Sequence, residues 1–178
     1  MKTAEDYFDE GGYRDAVDGD AETAIESYSE AIRLNPEFAE ALFNRAVDYE
    51  QIGHWAKALA DYQRYAELRP DEPTGHTSLA RVYLYAEDAD LRDVSLALKH
   101  AKCACQLAGE SQYQPLATLA AAWAASGQYQ DAVVCQEKAI RLASQNREAN
   151  DLFVPNMKKA LALYQDKHRA NKPWWKLW

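Results

Sequence analysis

The sequence predicts an all-α fold, a right-handed α-solenoid of four helix pairs closed by a C-terminal capping helix. Three observations carry this. Residues recur 34 positions apart: Pro36 and Pro70, Leu34 and Leu68, Ala24 and Ala58, Tyr28 and Tyr62, Gly19 and Gly53, Gly12 and Ala46. A fixed period of this size marks a stacked helical array. Small residues recur where paired helices must approach closely. Proline and glycine fall at regular places and form no linker.

The spacing predicts helices near 4–17, 20–34, 38–52, 55–68, 73–86, 92–108, 113–126 and 129–143, with a last helical region over 147–169. Gly12, Ala46, Ala80 and Ala120 thin the first helix of each pair. Ala24, Ala58, Ala97 and Ala132 thin the second. Tyr28, Tyr62, Leu34, Leu68, Leu107 and Leu142 are expected to fill the space between units. Pro36 and Pro70 cannot continue the helix before them and introduce the next. Gly19, Gly53 and Gly127 end first helices, where a left-handed residue is wanted. The units therefore run at about 4–36, 37–70, 71–110 and 111–146, making 1–146 the array, 147–170 the cap and 171–178 an aromatic tail.

The third unit is longer. Its two small residues, Ala80 and Ala97, are 17 apart where the other units have 12. Five residues are inserted within AEDADLRDVS, and this turn at 86–95 offers a second contact surface. Asp90 or Asp93 is expected to cap the following helix. A calcium loop would need a glycine and a terminal glutamate that are missing here. Repeat arrays need a cap. Pro155 must kink the last region or start its second half, and Leu152, Phe153, Met157, Leu161 and Tyr164 form its expected inner side.

Leu42, Ala46, Tyr49, Gly53, Ala58, Tyr62 and Pro70 stand at the spacing of the tetratricopeptide repeat, and ALFNRAVDYEQIGHWAKALADYQRYAELRP resembles a near-complete example. The segment before it is similar, with Asp15 in place of the usual aromatic. Unit four matches through Leu119, Ala120, Trp123, Gly127, Ala132 and Ala139 and lacks the terminal proline. The resemblance covers roughly residues 4–143. The ending LALYQ…NKPWW is similar to a group of bacterial tetratricopeptide proteins with a Lys-Pro-aromatic tail.

The resemblance implies a protein–protein interaction scaffold or adaptor, with the first helix of each pair lining a concave groove. That places Asp6, Asp9, Tyr13, Glu40, Phe43, Asn44, Val47, Glu50, Thr77, Arg81, Leu84 and Tyr85 near the groove. Asn44 stands at the family's position for an asparagine that bonds a peptide backbone. The blander alternative is a solvated face with no ligand. The chaperone-binding members clamp a C-terminal carboxylate with lysines, asparagines and an arginine. The matching positions here are Asp9, Tyr13, Asn44, Thr74 and Ser78, and only Asn44 fits. A neutral or basic peptide is expected instead, because Asp6, Asp9 and Glu40 repel a carboxylate.

The chain has 178 residues, 48% of them apolar, and a formal net charge of −8. Residues 1–72 hold 18 acidic and 7 basic side chains, and residues 73–178 hold 10 and 13. Such acidity argues against nucleic acid as a partner. Three cysteines (Cys103, Cys105, Cys135) favour a reducing compartment over a disulfide framework. The start turns acidic at once, without the apolar segment of a signal peptide, and the expected location is the cytoplasm.

The tail KPWWKLW carries Trp174, Trp175 and Trp178 among basic residues. These tryptophans pack on the cap, bind a partner, or dock on the acidic repeats of another copy, which would make the chain a self-associating structural protein. Membrane contact is disfavoured, since so short a basic segment is a marginal anchor. His100 and Cys103 share a helix face while Cys105 points elsewhere, so no metal and no cofactor are expected. No phosphate loop, nucleophile elbow or His-Glu metal motif is present, and the sequence does not read as an enzyme.

Overall fold

The computed structural model describes residues 2–14, 20–109, 111–145 and 147–171. The tail tryptophans Trp174, Trp175 and Trp178, together with Asp15 and Gly19, lie outside the described residues. Among those described there are ten α-helices and no strands. They are α1 (Ala4–Tyr13), α2 (Ala21–Leu34), α3 (Ala39–Gln51), α4 (Trp55–Leu68), α5 (Pro73–Tyr85), α6 (Val94–Ala108), α7 (Tyr113–Ala125), α8 (Tyr129–Ala143), α9 (Arg147–Leu152) and α10 (Val154–Ala170).

Local chemistry sets most of the boundaries. Thr3 and Asp6 close a capping box on α1: the Asp6 N–H donates to Thr3 Oγ1 at 3.2 Å, and the Thr3 N–H donates to Asp6 Oδ2 at 2.8 Å. Asp20 caps α2 by accepting from the Thr23 N–H at 3.1 Å. Gly53 and Gly127 follow α3 and α7 at φ of +76° and +79°, the left-handed backbone that ends these helices without a Cβ clash. Pro73 opens α5, where its missing N–H costs nothing.

Four antiparallel pairs result: α1/α2, α3/α4, α5/α6 and α7/α8. Ala24, Ala46, Ala58, Ala80, Ala97, Ala120 and Ala132 are all fully buried at the crossings. In the first unit the tightest crossing is at Gly11, one residue from the expected Gly12. A Cβ on Gly11 would stand 2.6 Å from the Tyr28 ring, whereas one on Gly12 would meet only the Tyr28 hydroxyl at 3.8 Å. Tyr28 and Tyr62 fill the space between units as expected, but Leu34 is 41% exposed because α2 ends there and no neighbour covers it.

The insertion in the third unit forms a 3-10 turn at Ala89–Leu91. Asp88 caps that turn and Asp93 caps α6, accepting from the Ser95 and Leu96 N–H groups at 2.8 and 2.9 Å. Asp93 also donates its own N–H to the Tyr83 carbonyl at 3.0 Å, which ties the turn back to α5.

The expected last helix is two helices, broken at Phe153, with Pro155 near the start of the second. Val154 and Met157 bury against Ala139 and Ala143 of α8, and the Gln136 side chain donates to the Met157 carbonyl at 3.1 Å. Leu152 and Phe153 are 59% and 49% exposed. Leu152 therefore leaves the expected inner side, whereas Phe153, though half exposed, packs its ring on Tyr113. The interior is a chain of clusters, one around Tyr28, one around Tyr62 and Leu79, and one joining α8 to the cap. Each unit packs on its neighbours, as a solenoid requires.

Candidate functional site

The first helices of the pairs converge on a pocket of about 510 Å³. Phe43 enters it from α3. Thr74, Thr77, Ser78 and Arg81 come from α5. Gln112, which precedes α7, joins Tyr113, Gln114, Pro115, Ala117 and Thr118 of that helix. Phe153 and Met157 close it from the cap. The lining combines aromatic and aliphatic side chains with the hydroxyls of Thr74, Thr77, Ser78 and Thr118 and the amides of Gln112 and Gln114. Among the described residues the lining contains no aspartate, glutamate, histidine, lysine or cysteine. Arg81 of this lining forms an ion pair with Glu50 of α3.

Each wall has a local cause. Phe43 is held between the rings of Tyr62 and Tyr65, with centroids 5.6 and 5.1 Å away. Burial, and then the Glu72 carboxylate that accepts the Tyr65 hydroxyl at 2.6 Å, push the Tyr65 pKa up to about 12, so that ring stays neutral. Thr77 donates its hydroxyl to the Pro73 carbonyl at 2.8 Å, which turns its methyl group free for contact. Phe153 leans on Tyr113 with centroids 6.1 Å apart.

Of the expected groove residues, the pocket gathers Phe43, Thr77 and Arg81, with Glu50 beside Arg81. Glu50 also accepts from the Tyr62 hydroxyl at 3.0 Å. Asn44 is half-buried and donates its amide to the Tyr28 hydroxyl at 3.4 Å. Val47 packs against the central cluster. Glu40 pairs with Arg69 at 2.7 Å, and its own backbone N–H and that arginine hold its carboxyl below the usual range. Asp6 and Asp9 are exposed on α1, and Tyr13 and Tyr85 are each 59% exposed.

The α7 wall and the cap residues Phe153 and Met157 were absent from the sequence-based groove. The signal for α7 was present: Gln114, Ala117 and Thr118 hold the repeat positions that Glu40, Phe43 and Asn44 hold in α3. No comparable signal marked the cap, which lies outside the period.

His100 has an unexpected partner. Its Nδ1 lies 2.9 Å from Nδ1 of His76, so one imidazole donates and the other accepts, and Tyr83 stacks on the His100 ring at 5.7 Å. Among the described residues no group of three or more His, Cys, Asp and Glu is placed to hold a metal ion. No described helix is long and apolar enough to cross a membrane.

Family models described as TPR repeat and Tetratricopeptide repeat match residues 5–53 and 39–72. An Hsp70-Hsp90 organizing protein of Triticum aestivum is 35% identical over 65 residues, 36% of this chain and 11% of that protein. A DnaJ homolog subfamily C member 7 homolog of Schizosaccharomyces pombe is 37% identical over 62 residues, 34% of this chain and 13% of that protein. The chain thus matches about a tenth of the length of these relatives. Among solved structures, the APC/C hetero-tetramer Cut9-Hcn1 superposes with a TM-score of 0.80 at 17% identity, over 94% of this chain and 31% of that one. TTC0263, a thermophilic TPR protein of Thermus thermophilus, superposes with a TM-score of 0.69 at 21% identity, over 91% and 81%. These two likenesses concern the fold.

Proposed function

We propose, from the premise that this chain belongs to the tetratricopeptide-repeat family, that it is a protein-interaction module whose groove takes an extended or helical segment of another protein. The observation that carries this is the pocket shared by α3, α5, α7 and the cap. Its aromatic and aliphatic side chains suit one bulky apolar side chain, and its hydroxyls and amides suit a peptide backbone.

The charge around it selects the ligand. Arg81 is already answered by Glu50, so the pocket has no surplus charge to satisfy. On this reading the groove continues toward α1, where Asp6 and Asp9 are exposed. A neutral segment, or one with basic residues on the α1 side, fits both ends. A carboxylate clamp does not suit this groove. Its positions are Asp9, Tyr13, Asn44, Thr74 and Ser78, and the Asn44 amide is engaged by Tyr28. A reducing location such as the cytoplasm accords with three free cysteines. Burial pushes the Cys105 thiol up to about 11, with Cys135 nearby adding to the rise.

Selection of a random peptide library on the full chain tests the reading. The expected consensus has one large apolar residue and no acidic cluster. Ala117→Trp and Thr77→Trp each fill the pocket, and selected peptides should bind these variants at least about tenfold more weakly, the loss of one buried apolar anchor. Equal binding to the wild type and both variants would remove the pocket from the function.

A further inference from the structure

Three residues of the pocket lining are aromatic, and each comes from a different part of the chain. Phe43 belongs to α3, Tyr113 to α7, and Phe153 to the break between α9 and α10. Met157 of α10 joins them, with a soft thioether that packs well against rings. The rings are braced from behind or beside. Phe43 stands between Tyr62 and Tyr65, with centroids 5.6 and 5.1 Å away, and Phe153 rests on Tyr113 at 6.1 Å. Such a lining rewards a flat guest, because ring-on-ring contact gains more than the area it buries. A cavity of about 510 Å³ also leaves a small aliphatic group loosely packed, and loose contacts forfeit dispersion.

The polar groups narrow the guest further. Ser78 and Thr118 are both more than nine-tenths buried and both line the pocket. A guest that shuts water out must answer their hydroxyls or leave them unpaired. An indole N–H or a phenol O–H can do so, and a leucine side chain cannot. Charge points the same way. Arg81 is balanced by Glu50, so the guest need bring no charge, and a guanidinium complements the negative face of an electron-rich ring.

We propose that the pocket takes an aromatic side chain with a polar edge, tryptophan first, from the partner segment, and that Phe153 of the cap sets this preference together with Phe43. This deepens the groove-binding reading, on which it rests, by naming the class of residue that anchors the partner.

The probes are N-acetyl-L-tryptophanamide and N-acetyl-L-leucinamide, neutral molecules whose two amides stand in for a peptide backbone. Each is titrated into the isotope-labelled full chain and followed by NMR chemical shifts. The tryptophan probe should bind at least about fivefold more tightly than the leucine probe, the gain from ring contacts and one hydrogen bond. Ala117→Trp should weaken the tryptophan probe at least about tenfold by filling its place. Phe153→Leu should bring the tryptophan-to-leucine ratio down to about twofold or less while the leucine probe binds as before. A merely structural role for Phe153 would weaken both probes alike and leave the ratio unmoved, which overturns the part given to the cap. Equal affinity of the two probes for the wild type, no binding of the tryptophan probe at millimolar concentration, or binding that Ala117→Trp leaves intact overturns the whole. Library-selected peptides anchored on leucine or isoleucine, and lost on Ala117→Trp, would leave the groove reading standing while this one fails.

Discussion

Arg45 and Asp61 form a two-pronged ion pair between α3 and α4, with Nε to Oδ2 and Nη2 to Oδ1 both at 2.8 Å. The third prong, Nη1, donates to Ser29 Oγ on α2 at 3.0 Å, so one guanidinium joins two successive units. The side chains are 18% and 10% exposed, too little for solvent to replace either partner. Asp61→Ala leaves the guanidinium half-desolvated and should cost about 2–3 kcal/mol, read as a lower urea midpoint. Arg45→Lys keeps the charge but loses the fork, and should recover less than half of the difference. A midpoint unchanged in Asp61→Ala would contradict the role given to the pair.

The crossing of α4 and α5 depends on Gly75. A Cβ there would stand 2.9 Å from the Tyr65 ring and 3.1 Å from the Ala66 Cα, and the second is backbone that cannot turn aside. Gly75→Val should destabilise by about 2–3 kcal/mol through overpacking. Gly75→Ala should cost about 1 kcal/mol or less, since the gain in helix propensity offsets part of the clash. Equal stability of the wild type and Gly75→Val in urea denaturation would refute the close crossing.

Stability should fall on mild acidification because of His76 and His100. Burial lowers both pKa values below the ordinary range. Lys99 adds to the effect at His76, and His76 and then Lys99 add to it at His100. The sign follows from linkage. The unfolded chain, titrating at about 6.5, takes up protons before the folded one, so stability is full above that pH and declines as pH drops below it. His76→Gln should reduce the slope of melting temperature against pH between about pH 7 and 5. An unaltered slope would argue against the pair.

The cap is held to α8 by Gln136, 3% exposed, whose amide reaches the Met157 carbonyl. Gln136→Ala should cost about 1–2 kcal/mol. Because a solenoid couples only neighbours, the loss should be local. Hydrogen exchange should speed up across α9 and α10 while α1 to α4 keep their protection. Uniform acceleration along the chain would mean that the array unfolds as one unit.

The sequence by itself determined the helix pairs. The 34-residue recurrence placed the boundaries of α4 and α8 at the residues observed, and those of α2, α3, α5 and α7 within one residue. It also located the buried alanines and the left-handed Gly53 and Gly127, and it narrowed the cap of α6 to Asp90 or Asp93, of which Asp93 serves. These are local matters: which face of a helix turns inward, and where the backbone can stop, are settled by residues a few positions apart. Only the tertiary structure decided what meets across the groove. Phe43 shares a pocket with Phe153 and Met157, Asn44 gives its amide to Tyr28, and His76 finds His100. Those meetings depend on the curvature of the stack, which sums small rotations at each helix crossing. Each rotation is set by the volumes packed there, such as Gly11 against Tyr28 or Gly75 against Tyr65, and no repeat position encodes that sum.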